Sequence, residues 1–200
     1  MKLPVLSWIL CVLALIGLLA WLGSDVVPLT KDAPQHKGTA LVGGDFSLID
    51  GKDKVLTNKD FRGKYMLVYF GFTHCPDICP TSLLLIQNAL NHLGDKAKKV
   101  QPIFITLDPE RDTPEVVGQY VAHFGPNMVG LSGSPAQIKQ AADAYKVYYR
   151  KVEEENSAMG YVIDHSGFIY LMGPDGNYIT HFPHTIAEQS LTDGLAAAIK

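Results

Sequence analysis

An apolar run, Tyr65-Met-Leu-Val-Tyr-Phe70, leads through a short turn into a second apolar stretch, Leu83-Leu-Leu-Ile86. The first run has the length and residue types of a buried strand, and the second opens a pattern with helical spacing. Between them lies Gly71-Phe-Thr-His-Cys-Pro-Asp-Ile-Cys-Pro80. A strand, a turn carrying two thiols and a helix must therefore follow one another. Four residues apart on a helical path, Cys75 and Cys79 share a face with alpha carbons roughly 6 Å apart. A disulfide tolerates about 4.4–6.8 Å, so this pair can oxidise or chelate a soft metal.

The rest of the chain bounds the choice. Two hundred residues, 47% apolar and 18% charged, describe one folded domain plus an added apolar segment. A net charge of -3, without a basic stripe or interleaved aromatics, gives no sign of nucleic-acid binding. Residues 3–22 carry no charge and are long enough to span a bilayer as a helix. Lys2 precedes this segment and Asp25 follows it, and the single Lys2 favours a cytoplasmic N-terminus, with the main domain outside the cytoplasm. A cleaved signal peptide is the alternative, but Ala20-Trp21-Leu22 puts a bulky residue where cleavage needs a small one. The expectation is an uncleaved anchor over 3–22, a linker over 23–40 and a folded domain over 41–200. Cys11 falls inside the anchor as a buried apolar thiol. Two cysteines then face a compartment that permits disulfides.

From residue 41 onward the pattern tightens. Phe46–Ile49 and Val55-Leu56 read as two strands around Asp50-Gly51. After the thiols, apolar residues at 83, 86, 90 and 93 predict a helix over Pro80–Leu93, closed by Gly94. Val100–Leu107 is a second buried strand, and Asp108–Pro114 a loop. Thr113-Pro114 and Ser134-Pro135 each cap a further helix, the first to about Phe124 and the second to about Tyr145. Met128–Leu131 is a short strand, Val147–Val152 another, and Glu153–Ser157 a polar loop. Phe168–Met172 and Tyr178–Phe182 flank Gly173-Pro-Asp-Gly176, a hairpin turn, and a last helix covers Thr185–Ile199. This alternation is an α/β fold, a mixed sheet with helices on both faces. A thiol pair where the first buried strand passes into a helix is the site layout of thioredoxin-like folds.

Position alters the chemistry of both thiols. A helix N-terminus presents free amides and the positive end of the dipole, which favours a thiolate. Thiolates attack disulfides and also bind Cu(I), so this does not separate redox from metal chemistry. Three residues separate the thiols, where redox enzymes of this fold typically use two. The wider spacing suits a chelate, and a chelate needs a third donor. Of the seven histidines, His36 sits in the linker, and His92 and His123 sit late in helices. His181 and His184 flank the end of the C-terminal strand and read as surface or helix-start residues. His74 adjoins Cys75 along the backbone and reads as a hydrogen-bonding neighbour. His165 lies in Ile163-Asp-His-Ser-Gly167, a polar break before the strand at Phe168. In a thioredoxin-like sheet that loop faces the thiols. A loop histidine satisfied by its neighbours and a metal ligand both fit this position. Asp164 either orients the imidazole or caps a turn.

Three stretches, Gly71–Pro80, Thr106-Leu-Asp-Pro-Glu-Arg-Asp-Thr-Pro114 and Asp164-His-Ser166, together resemble the Sco/SenC family. Its members are membrane-anchored, thioredoxin-like, copper-binding proteins that assist assembly of cytochrome c oxidase. The resemblance implies that Cys75, Cys79 and His165 bind copper, as Cu(I) or Cu(II). It implies delivery to the binuclear copper centre of the copper-bearing oxidase subunit, with other copper donors or thiol reductants as further partners. The domain would then stand on the periplasmic side of a bacterial inner membrane, held by its single-pass helix. Asp-His-Ser takes the place of the cis-proline loop of thioredoxins. The family also includes members argued to reduce the oxidase thiols, so a thiol–disulfide oxidoreductase using Cys75 and Cys79 as catalytic groups stays open. A structural Cys75–Cys79 disulfide stays open too, whereas a peroxidase lacks a clearly placed activating arginine. Asp77 either adjusts the thiols or contacts a partner, or simply favours the helix start, and Asp108 either contributes to the site or pairs with Arg111 only to fix its loop.

Overall fold

The computed structural model describes residues 42–153 and 160–200, which belong to one compact unit spanning Ala40–Lys200. The expected anchor, the linker and most of the polar Glu153–Ser157 loop lie outside the described residues. Among the described residues no helix is long and apolar enough to cross a membrane.

Two strands form the centre of the sheet. All seven residues of β3 (Tyr65–Gly71) are buried, as are all but one of β4 (Val100–Thr106). Side chains alternate between sheet faces, so continuous burial means that both faces are covered. The two strands pair in parallel, from Tyr65 opposite Val100 to Gly71 opposite Thr106. Helix α1 (Ile78–His92) makes the crossover between them. On the far side of β4 lies β5 (Val129–Ser132), also parallel, reached through α2 (Pro114–Ala122). Next to β5 runs β1 (Ser47–Asp50), antiparallel, with β2 (Val55–Thr57) at the edge. On the other side of β3 lie β8 (Phe168–Met172) and β9 (Tyr178–Pro183), joined by the Gly173–Gly176 turn. The described strands of this sheet run β2-β1-β5-β4-β3-β8-β9. The last helix, α4 (Glu188–Ala198), packs against α1.

Local chemistry sets the helix starts as the sequence suggests. Thr113 Oγ1 accepts from the Val116 amide at 3.3 Å, with Pro114 in the first turn of α2. α3 (Pro135–Ala144) begins with a capping box, Ser134 Oγ accepting from Gln137 N–H and Gln137 Oε1 accepting from Ser134 N–H. α4 starts later than expected, because Ile186 N–H turns back to Pro183 O at 3.0 Å before the helix begins.

Two expectations need correction. Cys75 is not on the helix. It precedes Pro76, whose ring disfavours the helical region for the residue before it, and α1 begins only at Ile78. Pro80 is accommodated in the first turn, where an amide proton has no partner within the helix in any case. His165 is not in a loop either. β6 (Tyr149–Glu153) pairs with β7 (Tyr161–His165) as a separate antiparallel ribbon, with His165 opposite Tyr149. The strand formers Tyr161-Val-Ile163 carry the pairing through Asp164 and His165, so the break before β8 shrinks to Ser166-Gly167.

Core burial carries far more of the stability than the caps do. Leu67 is fully buried in mid-β3, so Leu67→Ala should cost about 2–5 kcal/mol. Ser134→Ala should cost about 1 kcal/mol. Urea unfolding of the three proteins measures both differences.

Candidate metal centre

The C-terminal ends of β3 and β4 supply the site. Gly71 closes β3 beneath the buried Cys79 sulfur, and a Cβ at position 71 would stand only 2.7 Å from that sulfur. A glycine is required there for the thiol to pack against the strand end. The chain then turns through Phe72 and Thr73, with Cys75 N–H donating to Phe72 O at 3.3 Å. Cys75 Sγ accepts from the Cys79 amide at 3.4 Å and so caps the start of α1. Asp77, at the usual capping position, makes no capping bond to an amide; its carboxyl accepts from the Thr81 hydroxyl at 3.3 Å.

Asp112 holds this turn in place. Its fully buried carboxyl accepts from Thr73 N–H (2.9 Å), Thr73 Oγ1 (2.5 Å) and Thr106 Oγ1 (2.6 Å). Asp108 is also buried, accepting from Arg111 Nε at 2.5 Å and from the Tyr161 hydroxyl at 2.9 Å. The Asp108–Arg111 pair therefore forms as expected. It also reaches β7, because the Arg111 guanidinium lies 3.6 Å from the centroid of the Tyr161 ring.

His165 enters from the end of β7. Its Nε2 is 4.0 Å from Cys79 Sγ, while Nδ1 lies 3.1 Å from Ser166 O. A carbonyl can only accept, so Nδ1 carries the proton and the Nε2 lone pair faces the thiol. The rings of Tyr69 and Phe72 pack edge-on to the imidazole, both with centroids 6.3 Å away. Asp164 does not orient His165. It faces across the ribbon to Arg150, with Nε and Oδ2 3.1 Å apart. His74 bonds to the Thr73 hydroxyl at 3.1 Å. His92 lies 3.4 Å from Glu188, and His181 takes a short bond to the Tyr178 hydroxyl. His74 Nδ1 also lies 3.6 Å from Asp112 Oδ1, and none of these three lines the cavity that Cys75 and His165 share.

The electrostatics are unequal. The Cys79 thiol donates to Cys75, and the amides of Cys79, Asp77 and Ile78 add to this, drawing the Cys75 pKa down to about 5 against the opposing effect of burial. Cys79 is pushed far above an ordinary thiol, because its proton is held by the Cys75 thiolate and its sulfur is buried. The pair thus shares one proton at neutral pH. Burial lowers the His165 pKa, which keeps the imidazole neutral and able to donate its lone pair. Both cysteines are free thiols. Among the described residues no three Cys, His, Asp or Glu side chains already stand in metal-holding geometry. A chelate would therefore need side-chain rotation, and Cys75, on the loop and half-buried, has the freedom for it.

Sequence reasoning missed two residues. Asp112 lies in the Thr106–Pro114 motif, but nothing in a linear pattern marks which of its acids are buried or what they grip. His184, set aside as a surface or helix-start residue, lines a cavity together with Cys75 and His165.

A strand-end thiol pair, one sulfur capping the next helix and an imidazole facing the other, defines a thioredoxin-like domain built for thiol chemistry. The solved structure of Arabidopsis thaliana ScoI with copper bound has the same fold, with a TM-score of 0.75 and 45% identity, covering 79% of this chain and 98% of that one. Yeast Sco1 with copper bound matches with a TM-score of 0.71 and 37% identity, covering 78% and 87%. The SCO1/SenC family matches residues 34–200. The SCO2-like protein of Rickettsia prowazekii is 39% identical over 189 residues, 94% of this chain and 92% of its own length. The mitochondrial SCO1 homolog 1 of Arabidopsis thaliana is 44% identical over 171 residues, 85% of this chain, which spans 50% of that relative's length. The chain belongs to the SCO1/SenC family.

The unequal thiols make a direct prediction. Reactivity toward iodoacetamide follows the thiolate, so Cys75 should alkylate with a midpoint near pH 5. Cys79 should stay unmodified through neutral pH. In Cys79→Ala the donated proton is gone, and the Cys75 midpoint should move upward. Mass-spectrometric labelling across pH reads both shifts, and equal labelling of the two cysteines at pH 7 would contradict the assignment.

Proposed function

We propose that this protein is a copper metallochaperone that carries copper on Cys75, Cys79 and His165 and assists assembly of the binuclear copper centre of cytochrome c oxidase. Residues 3–22 anchor it in the inner membrane of a bacterium, 23–40 form a linker, and 41–200 form the copper-binding domain on the periplasmic side. The observation that carries the reading is the His165 imidazole, with Nδ1 tied to Ser166 O and Nε2 4.0 Å from Cys79 Sγ. A metal with zinc-like bonds, about 2.3 Å to sulfur and about 2.0 Å to nitrogen, holds those two atoms about 3.6 Å apart. Small rotations close that gap. A second polar contact fixing the far ring nitrogen is what metal-binding histidines ordinarily have. Solved relatives with copper bound support the choice of metal, and two thiolates with one imidazole suit Cu(I) while tolerating Cu(II). A partner with two thiolates would take the ion by ligand exchange, sulfur by sulfur.

One observation favours a second reading. An activated Cys75 beside a protonated, buried Cys79 is also the arrangement of an attacking and a resolving thiol. As an oxidoreductase, Cys75 would attack an oxidised oxidase thiol pair and form a mixed disulfide. Cys79 would then release the reduced partner, leaving Cys75–Cys79 oxidised.

His165 separates the two readings. His165→Ala should weaken Cu(II) binding at least about tenfold and change its absorption spectrum, leaving disulfide reduction intact. Unchanged affinity and spectrum would sink the three-donor site. Proton release offers an independent check. Copper displaces the proton on Cys79, while Cys75 is already a thiolate above about pH 5. Affinity should therefore rise with pH between 6 and 8 by about one logarithmic unit per pH unit. A slope of two would mean that both thiols are protonated in the free protein.

A further inference from the structure

The β8–β9 hairpin brings a second imidazole to the site. Phe168 pairs with Pro183, and one residue further on, His184 N–H donates to Gly167 O at 2.8 Å. The His184 ring lies flat on Gly167. A Cβ there would meet Nδ1 at 2.7 Å and Cε1 at 2.8 Å, closer than such atoms approach, so the ring rests where only a glycine admits it. Its Nδ1 is buried and makes no hydrogen bond among the described residues. Buried polar atoms are seldom left unpaired, and one that is invites a functional explanation. His184 lines a cavity of about 210 Å³ whose walls include Cys75, Pro76, Ile78 and His165. The thiol loop and Val162–His165 of β7 bound the same cavity, so a bound ion and this ring would share one space.

The donor count points the same way. Two sulfurs and one imidazole complete a three-coordinate Cu(I) site, but Cu(II) prefers four donors in a tetragonal set with nitrogen among them. We propose that His184 supplies a fourth donor, an imidazole nitrogen, to copper in the Cu(II) state. The inference rests on the copper reading above. Cu(I) is satisfied without His184, so the residue would favour the oxidised ion selectively.

The test uses the full chain loaded with Cu(II) or Cu(I), with pulsed EPR counting the coupled imidazoles. Wild type should show two, and His184→Ala one. Cu(II) affinity should fall about 10–100-fold, with Cu(I) affinity held within about twofold. Added imidazole should restore the second coupling in His184→Gly, and His184→Gln replaces the alanine variant should that fail to fold. A single coupled imidazole in wild type overturns the inference, as does an unchanged Cu(II) affinity in the variant. Equal losses for Cu(I) and Cu(II) also overturn it, since they indicate a purely structural role. A wild-type chain that binds no copper, or binds it unchanged in His165→Ala, overturns the copper reading itself.

Discussion

The buried carboxyl of Asp112 ties together the two loops that leave the functional end of the sheet. One oxygen takes the Thr73 hydroxyl, and the other takes Thr73 N–H and Thr106 Oγ1. Its own backbone is held as well, with N–H donating to Asp108 O at 2.9 Å and the carbonyl accepting from Ser132 Oγ at 2.5 Å. A buried polar group without partners is a liability, but one with several is a rigid joint. Thr73 is only two residues from Cys75, so the position of the thiol turn depends on a side chain from the following crossover. The loop after β4 thus works as a brace for the loop after β3. Its other acid, Asp108, extends the brace through Tyr161 to the strand that carries His165.

That brace explains how an uneven thiol pair can be maintained. Cys79 is locked, with its sulfur buried over Gly71, while Cys75 lies half-buried ahead of the helix. A single proton between them makes one sulfur a thiolate at neutral pH and leaves the other a donor. The helix start reinforces this, because three nearby amides point toward Cys75. Had Cys75 sat inside the helix, its sulfur could not have accepted from the amide of Cys79. Pro76 is what keeps it out.

Much of this was legible in the sequence, and the exceptions share a cause. Continuous apolar runs marked β3 and β4, because a strand covered on both faces needs no polar alternation. Thr113, Ser134 and the Gly173–Gly176 turn marked element boundaries, because caps and turns are local chemistry. Cys75, Cys79 and His165 stood out by type and by position against the predicted strands. What stayed hidden depended on pairing between distant segments. β7 ends in Asp164-His165, which reads as a break until its partner strand β6 is known. His184 reads as a surface or helix-start residue until the β8–β9 register sets it against Gly167. Asp112 reads as one acid among several until the turn it grips is folded over it.

On the copper reading, the same asymmetry dictates the order of exchange. An incoming thiolate must reach the ion from the open side of the cavity, past Pro76 and the half-exposed Ile78. Cys79 lies on the closed side, packed against the strand end, and cannot yield its place first without disturbing the core. Cys75 can, since its loop position leaves the side chain free to rotate and its low proton affinity makes it a good leaving ligand. Once detached, it still has the Cys79 amide to accept from, so the free thiolate is stabilised where it stands. On that reading, a domain of this design would hold a metal ion on one fixed sulfur and release it through the other.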